Sequence, residues 1–146
     1  MFKRDISAET LAGVSRVLMF AYGVLAISAG VRAMFQVATK WSQAPLAYTL
    51  TTIAALIYGV ACFGFGRRSP EIWRITFGVC SFELLGVVLV GLLTLIEPQW
   101  FPKATVWSDF GIGYGFAPLI LPLVGLWWLT RPRTRAAYGL ASMPNR

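Results

Sequence analysis

Glu83, in the stretch Cys-Ser-Phe-Glu-Leu-Leu-Gly, is the one acidic residue inside the long apolar runs of this chain. It stands about nine residues after Arg74 and about thirteen before Ile96, so at ~1.5 Å per helical residue it falls near the middle of a membrane-crossing helix. A bare carboxylate in hydrocarbon is costly, and intramembrane acids are partnered and often functional. Tyr22 and Tyr58 lie at matching depth in the two preceding runs and are the expected partners, with Ser28 and Ser81 less well placed. Arg16 stands too near the end of its run to reach Glu83. Two chemistries fit a lone mid-span carboxyl: a hydrogen-bonded link between helices, or a group that takes up a cation or a proton during transport.

A second candidate is Thr-Val-Trp-Ser-Asp-Phe-Gly-Ile-Gly-Tyr-Gly-Phe-Ala-Pro-Leu, residues 105–119. Its glycines fall at 111, 113 and 115, whereas a dinucleotide fingerprint needs G-x-G-x-x-G after a β-strand, so a phosphate cradle fits poorly. Gly111 and Gly115 read instead as a small-xxx-small pair, like Ala26 with Gly30 and Ala55 with Gly59, which lets helices approach closely in lipid. The competing reading is an outward-facing pocket built from Trp107, Asp109 and Tyr114.

Other chemistry has little to work with. The chain has no histidine, so it offers no Ser-His or Cys-His pair, and no cluster of acids that would hold a catalytic ion. Cys62 and Cys80 lack metal-ligand spacing and read as small apolar filler. No metal or cofactor is expected, and an enzyme is the least supported class.

The elements that must position these residues follow from composition. Of 146 residues 57% are hydrophobic and 13% charged, far from the roughly one quarter charged of a soluble domain. Four apolar runs, at about residues 13–35, 46–65, 74–96 and 112–130, each approach the ~20 residues that cross a ~30 Å slab. The expected fold is a single all-α domain over residues 1–146, a four-helix transmembrane bundle, with a basic tail at 131–146 frayed or lying on headgroups. Lys3 and Arg4 before the first run suggest a signal peptide, but the run is longer than an ordinary signal core and Asp5 and Glu9 dilute the basic start.

The net charge of +7 orients the bundle. Lys3, Arg4, Arg16, Arg67, Arg68, Arg74, Arg131, Arg133, Arg135 and Arg146 fall on one side, and only Arg32, Lys40 and Lys103 on the other. Basic residues stay cytoplasmic during insertion, so both termini are expected inside, with anionic headgroups as partners and nucleic acid excluded. On the opposite side Trp41, Trp100 and Trp107 suit the lipid–water boundary, and Ser42 with Ser108 or Asp109 suits helix capping. Ser69-Pro70-Glu71 reads as the start of the third helix. Ala38–Leu46 is echoed by Ala104–Leu119, which suggests a parallel two-plus-two repeat.

The segments Arg16–Ala26, Gln43–Tyr48, Phe82–Val87 and Phe101–Leu129 resemble small integral membrane proteins of actinobacteria. That resemblance implies a plasma-membrane location and a bacterial host, and carries over no activity or site residues. The expected function is association through helices, as a homo-oligomer or an accessory subunit of an envelope complex. The alternative is a small oligomeric ion or solute transporter with Glu83 as coupling carboxylate and the Trp107–Tyr114 loop as outer gate.

Overall fold

The computed structural model describes residues 2–140, with side chains described from Glu9 onward. Every element in that range is helical. Helix α1 runs Phe2–Lys40, α2 Pro45–Gly66, α3 Pro70–Ile96, α4 Ala117–Leu129 and α5 Pro132–Ala137. At ~1.5 Å per residue, the 39, 22 and 27 residues of α1, α2 and α3 measure ~58, ~33 and ~40 Å, each enough to cross a ~30 Å slab. The basic marks Lys3, Arg4 and Arg146 lie outside the described side chains.

Local chemistry sets the boundaries. Proline in the first turn opens α2, α3, α4 and α5, where its missing N–H has no helical partner to lose. Ser69 caps α3 as expected, its side chain accepting from the Ile72 N–H at 3.2 Å, with Glu71 in the first turn. The other expected caps do not form. No side chain caps α2 or α4, because Ala44 and Phe116 occupy those positions, and the Ser108 hydroxyl is taken by Thr105 instead.

The fourth run departs most from expectation. Gly115 and Phe116 adopt left-handed backbone at φ 63° and 61°, which no right-handed helix can continue, so α4 begins at Ala117 rather than 112. Its 13 residues span only ~20 Å. The preceding Ser108–Tyr114 segment is 3₁₀-like, kinked at Asp109, Phe110 and Gly111, and set at 97° to it, and only the bent pair together has the apolar length of a crossing. Three helices are thus long and apolar enough to span a membrane, or four with the bent pair taken as one.

Helix α1 packs chiefly along α2, and α3 along α4 and the Ser108–Tyr114 turn, while α1 and α4 barely touch. The small residues at the α1–α2 seam are Ala29, Ala33, Ala54 and Ala61, all buried. They sit one to three positions from the expected pairs. A Cβ placed on Gly30 or Gly59 would meet nothing within 4 Å, so those glycines do not mark close approach. Nor do Gly111 and Gly115 form a helical seam, since both lie in left-handed backbone ahead of α4.

The segment after α4 also differs from expectation. Residues 131–140 are folded: Pro132 opens α5, and Thr134 and Tyr138 are buried against the bundle. Residues 141–146 lie outside the described range.

Candidate functional site

A column of buried side chains runs through the bundle, with Glu83 at its centre. Glu83 is 0% exposed, as are Tyr22 and Tyr58. The Tyr22 hydroxyl donates to Glu83 Oε2 at 2.8 Å and lies 3.8 Å from Cys80 Sγ, one turn back on the same helix. Three apolar helices therefore converge on one carboxyl: α1 supplies Tyr22, α2 supplies Tyr58 and α3 supplies Glu83. The Tyr22 and Tyr58 rings are 6.0 Å apart. Glu83 Oε1 is buried and has no hydrogen-bond partner.

Tyr58 is matched in depth to Glu83 as expected, yet its recorded partner is Trp107, whose Nε1 donates to the Tyr58 hydroxyl at 3.0 Å. Trp107 is 2% exposed. It is therefore no boundary residue like Trp41 and Trp100, which stay 46% and 52% exposed. The segment before α4 dips back into the bundle and inserts its indole above Glu83.

Helix α3 is notched to receive it. A Cβ on Gly86 would stand 2.8 Å from the Trp107 ring, and one on Gly91 would stand 2.4 Å from the Phe110 ring. After Trp107 the chain takes left-handed backbone at Asp109, Phe110 and Gly111, with φ of 49°, 61° and 83°. Left-handed backbone costs a non-glycine residue roughly 1–2 kcal/mol, so the packed rings and polar anchors must hold it. Those anchors lie both within the loop, where Thr105 Oγ1 accepts from the Trp107 N–H at 3.0 Å, and between the loop and the bundle. The Asp109 N–H donates to Thr94 Oγ1 at 3.0 Å, and Arg32 donates to the Ala104 carbonyl at 3.0 Å. Within the loop, Ser108 Oγ accepts from the Thr105 N–H at 2.8 Å.

The opposite end of the column closes differently. Phe65 stacks on Tyr22 at 5.6 Å and meets Trp128 at 5.7 Å, and Trp128 meets Tyr138 edge-on at 6.1 Å. Arg68 ties these together, donating to the Phe65 carbonyl at 2.9 Å, to Ser15 Oγ at 2.9 Å and to the Tyr138 hydroxyl at 3.3 Å. Ser15 also donates to the Phe65 carbonyl, and the Tyr138 hydroxyl donates to the Gly64 carbonyl at 2.8 Å. Burial pushes the Tyr138 phenol above its ordinary value, an effect that nearby Arg68 opposes. Gly125 of α4 makes room for Phe65, whose ring would lie 2.9 Å from an added Cβ.

The six candidate residues thus divide. Glu83 and Tyr22 are bonded, Tyr58 and Trp107 are bonded beside them, and Tyr114 is half-buried at the edge of the same cluster. Asp109 is exposed, its Oδ1 accepting from Thr94 Oγ1 at 3.4 Å, whereas the Trp107 indole faces Tyr58 in the interior. Among the described residues no group of three or more His, Cys, Asp or Glu is placed to hold a metal ion. Gly86, Gly91, Phe65, Arg68 and Tyr138 are further parts of the column. The glycine notches have a faint sequence signal, since Gly86 and Gly91 are two of the three glycines in an otherwise bulky span; Tyr138 has none. The arrangement can hold one carboxyl out of water, hydrogen-bonded on one oxygen and open to a further interaction on the other. No family model matches this chain, and no similar curated protein or solved structure is found.

Proposed function

We propose that this is an integral protein of the bacterial cytoplasmic membrane that works by association through its helix faces, as a homo-oligomer or an accessory subunit of an envelope complex. In this reading the chain crosses four times, the bent pair counting as the fourth span, with both termini in the cytoplasm. The observation that carries it is the contrast between interior and exterior. The polar groups of the bundle axis are buried, whereas α1 presents Val17, Phe20, Val24, Ile27, Val31 and Met34 outward, each between 47% and 74% exposed.

Those six alternate at spacings of three and four, the pattern of a seam that packs against another helix. Beside it, an apolar groove of about 440 Å³ opens between α1 and α4, lined by Thr10, Gly13, Val14, Val17, Leu18 and Val124. A four-helix unit whose first and fourth helices barely touch leaves a side on which a further helix can lie.

The arginine end supports the orientation. Arg67 lies over Phe63 at 4.8 Å, Arg131 over Trp127 at 4.2 Å and Arg135 over Trp73 at 5.2 Å. Arginines resting on rings that are exposed at Phe63 and Trp127 and half-buried at Trp73 suit an interface rich in anionic headgroups. The resemblance to actinobacterial membrane proteins accords with this setting and adds no activity.

Cysteine cross-linking in native membranes tests the reading. With Cys62 replaced by alanine, Ile27→Cys on α1 is expected to give an oxidative dimer or a fixed adduct, and Leu85→Cys on α3 neither. Equal, concentration-dependent cross-linking at both positions contradicts association through α1.

A further inference from the structure

Glu83 has one oxygen satisfied and one idle, in a place that water does not reach. Oε2 accepts from Tyr22, while Oε1 has no partner although the residue is 0% exposed. A buried acceptor left unpaired costs about as much as a lost hydrogen bond, and more when it is charged. The groups that face it from each packed element are Tyr22 on α1, Tyr58 on α2, Cys80 on α3, and Tyr114 beyond Tyr58 on the loop. Helix α4 carries no ionisable residue. No basic side chain is among the partners of Glu83, so its charge is not balanced by an ion pair.

The cover over this acid is the more strained of the two ends. Trp107 closes it with a single side-chain hydrogen bond to Tyr58. The backbone that carries Trp107 into place passes through left-handed conformations at three non-glycine residues, Asp109, Phe110 and Phe116. Such strain persists only where surrounding contacts enforce it, and it gathers at switching segments. The arginine end is tied by hydrogen bonds from Arg68, Ser15 and Tyr138 and by stacked rings, and its one left-handed residue is a glycine, Gly139.

From these observations we infer that Glu83 is a proton-binding site reached from the loop end, and that residues 105–116 form the movable plug that closes it. Uptake converts the carboxylate and a hydronium ion into the carboxylic acid and water; one negative charge leaves the interior and no further reactant is needed. A metal cation fits less well. Divalent ions take six to eight oxygens, and here one carboxyl and two phenols converge. Lifting Trp107 out of the Gly86 notch is the motion that gives water a route to Oε1. This goes beyond association and rests on different residues, so either can fail without the other.

The test is infrared spectroscopy of the full chain in lipid vesicles, following the carbonyl stretch of a protonated carboxyl during transfer from H2O to D2O. Glu83→Gln assigns the band by abolishing it. If that variant does not fold, Tyr22→Phe assigns it by an upward shift, because one hydrogen bond to the carbonyl is lost. The expected result is a protonated band at neutral pH whose deuterium exchange becomes about tenfold faster in Trp107→Phe, which keeps the ring but not the hydrogen bond, and faster still in Trp107→Ala. Tyr138→Phe, which loosens the other end, should leave the rate within about twofold. The inference is overturned by a Glu83 that is ionised at neutral pH, by exchange unaltered in both Trp107 variants, or by equal acceleration in Tyr138→Phe. Loss of the band on adding sodium chloride at fixed pH would overturn it in favour of a cation site.

Discussion

The two ends of the buried column make the same kind of closure with opposite means. At the arginine end, a cation sits over Trp128 and Tyr138 and bonds three oxygens, and the one left-handed residue beside it is a glycine, Gly139. At the loop end, an indole and a phenyl ring are pressed into glycine notches by a chain forced into left-handed turns. Both ends are tied by several hydrogen bonds and ring contacts, but only the loop end is held against left-handed backbone at bulky residues. A permanent seal and a releasable one would differ in this way.

The difference can be broken from either side. The largest effect is expected at Trp107→Ala, which empties a buried indole site and removes the Tyr58 hydrogen bond; thermal unfolding in detergent should show a loss of about 3 kcal/mol. Arg68→Ala should follow closely, at about 2–3 kcal/mol, since it removes charge-assisted hydrogen bonds and two ring contacts at once. If Arg68→Ala proves harmless, the two ends are not distinguished by their bonding.

Gly91→Ala sharpens the comparison by filling one notch. Phe110 must move, at a cost of about 1–3 kcal/mol, and collisional quenching of tryptophan fluorescence should rise as Trp107 loosens. Tyr138→Phe should cost about 1 kcal/mol near neutral pH by leaving the Gly64 carbonyl without its donor. Its pH dependence has a definite sign. The folded phenol is raised above its unfolded value of about 10, so its contribution is fully present below that value and is lost as pH rises beyond it. Tyr138→Phe should therefore flatten alkaline destabilisation relative to the parent.

The smallest effect is a gain. Phe116 holds φ 61° immediately before α4, so Phe116→Gly should stabilise the plug by up to about 1 kcal/mol, less what the freer unfolded chain recovers. Slower deuterium exchange at Glu83 is the corresponding kinetic outcome.

How much of this was legible beforehand divides along the same line. Depth along the helix is enough to suggest Tyr22 as a partner of Glu83, because both fall near the middle of their apolar runs and a buried carboxyl needs a donor at its own height. The Ser69-Pro70 start of α3 is legible for the same local reason. The loop is not. Its glycines at 111 and 115 do occupy positive φ, but so do Asp109, Phe110 and Phe116, and bulky residues give no warning of that conformation. The echo between Ala38–Leu46 and Ala104–Leu119 misleads in a useful way: Trp41 stays exposed and Trp107 is swallowed. The longer of the two loops has the slack to turn inward and the notches of α3 to turn into. The arginine end was hidden too, since a tail rich in arginine reads as solvated until Tyr138 is seen to reach Gly64.

The account depends most on the two ends facing opposite sides of a membrane. Membrane-impermeant maleimide, applied to intact cells with Cys62 replaced by alanine, tests this directly. Ile112→Cys, on the exposed rim of the plug, should label without permeabilisation, and Arg67→Cys only after it. Labelling of Arg67→Cys in intact cells, or of both variants alike, would contradict the account.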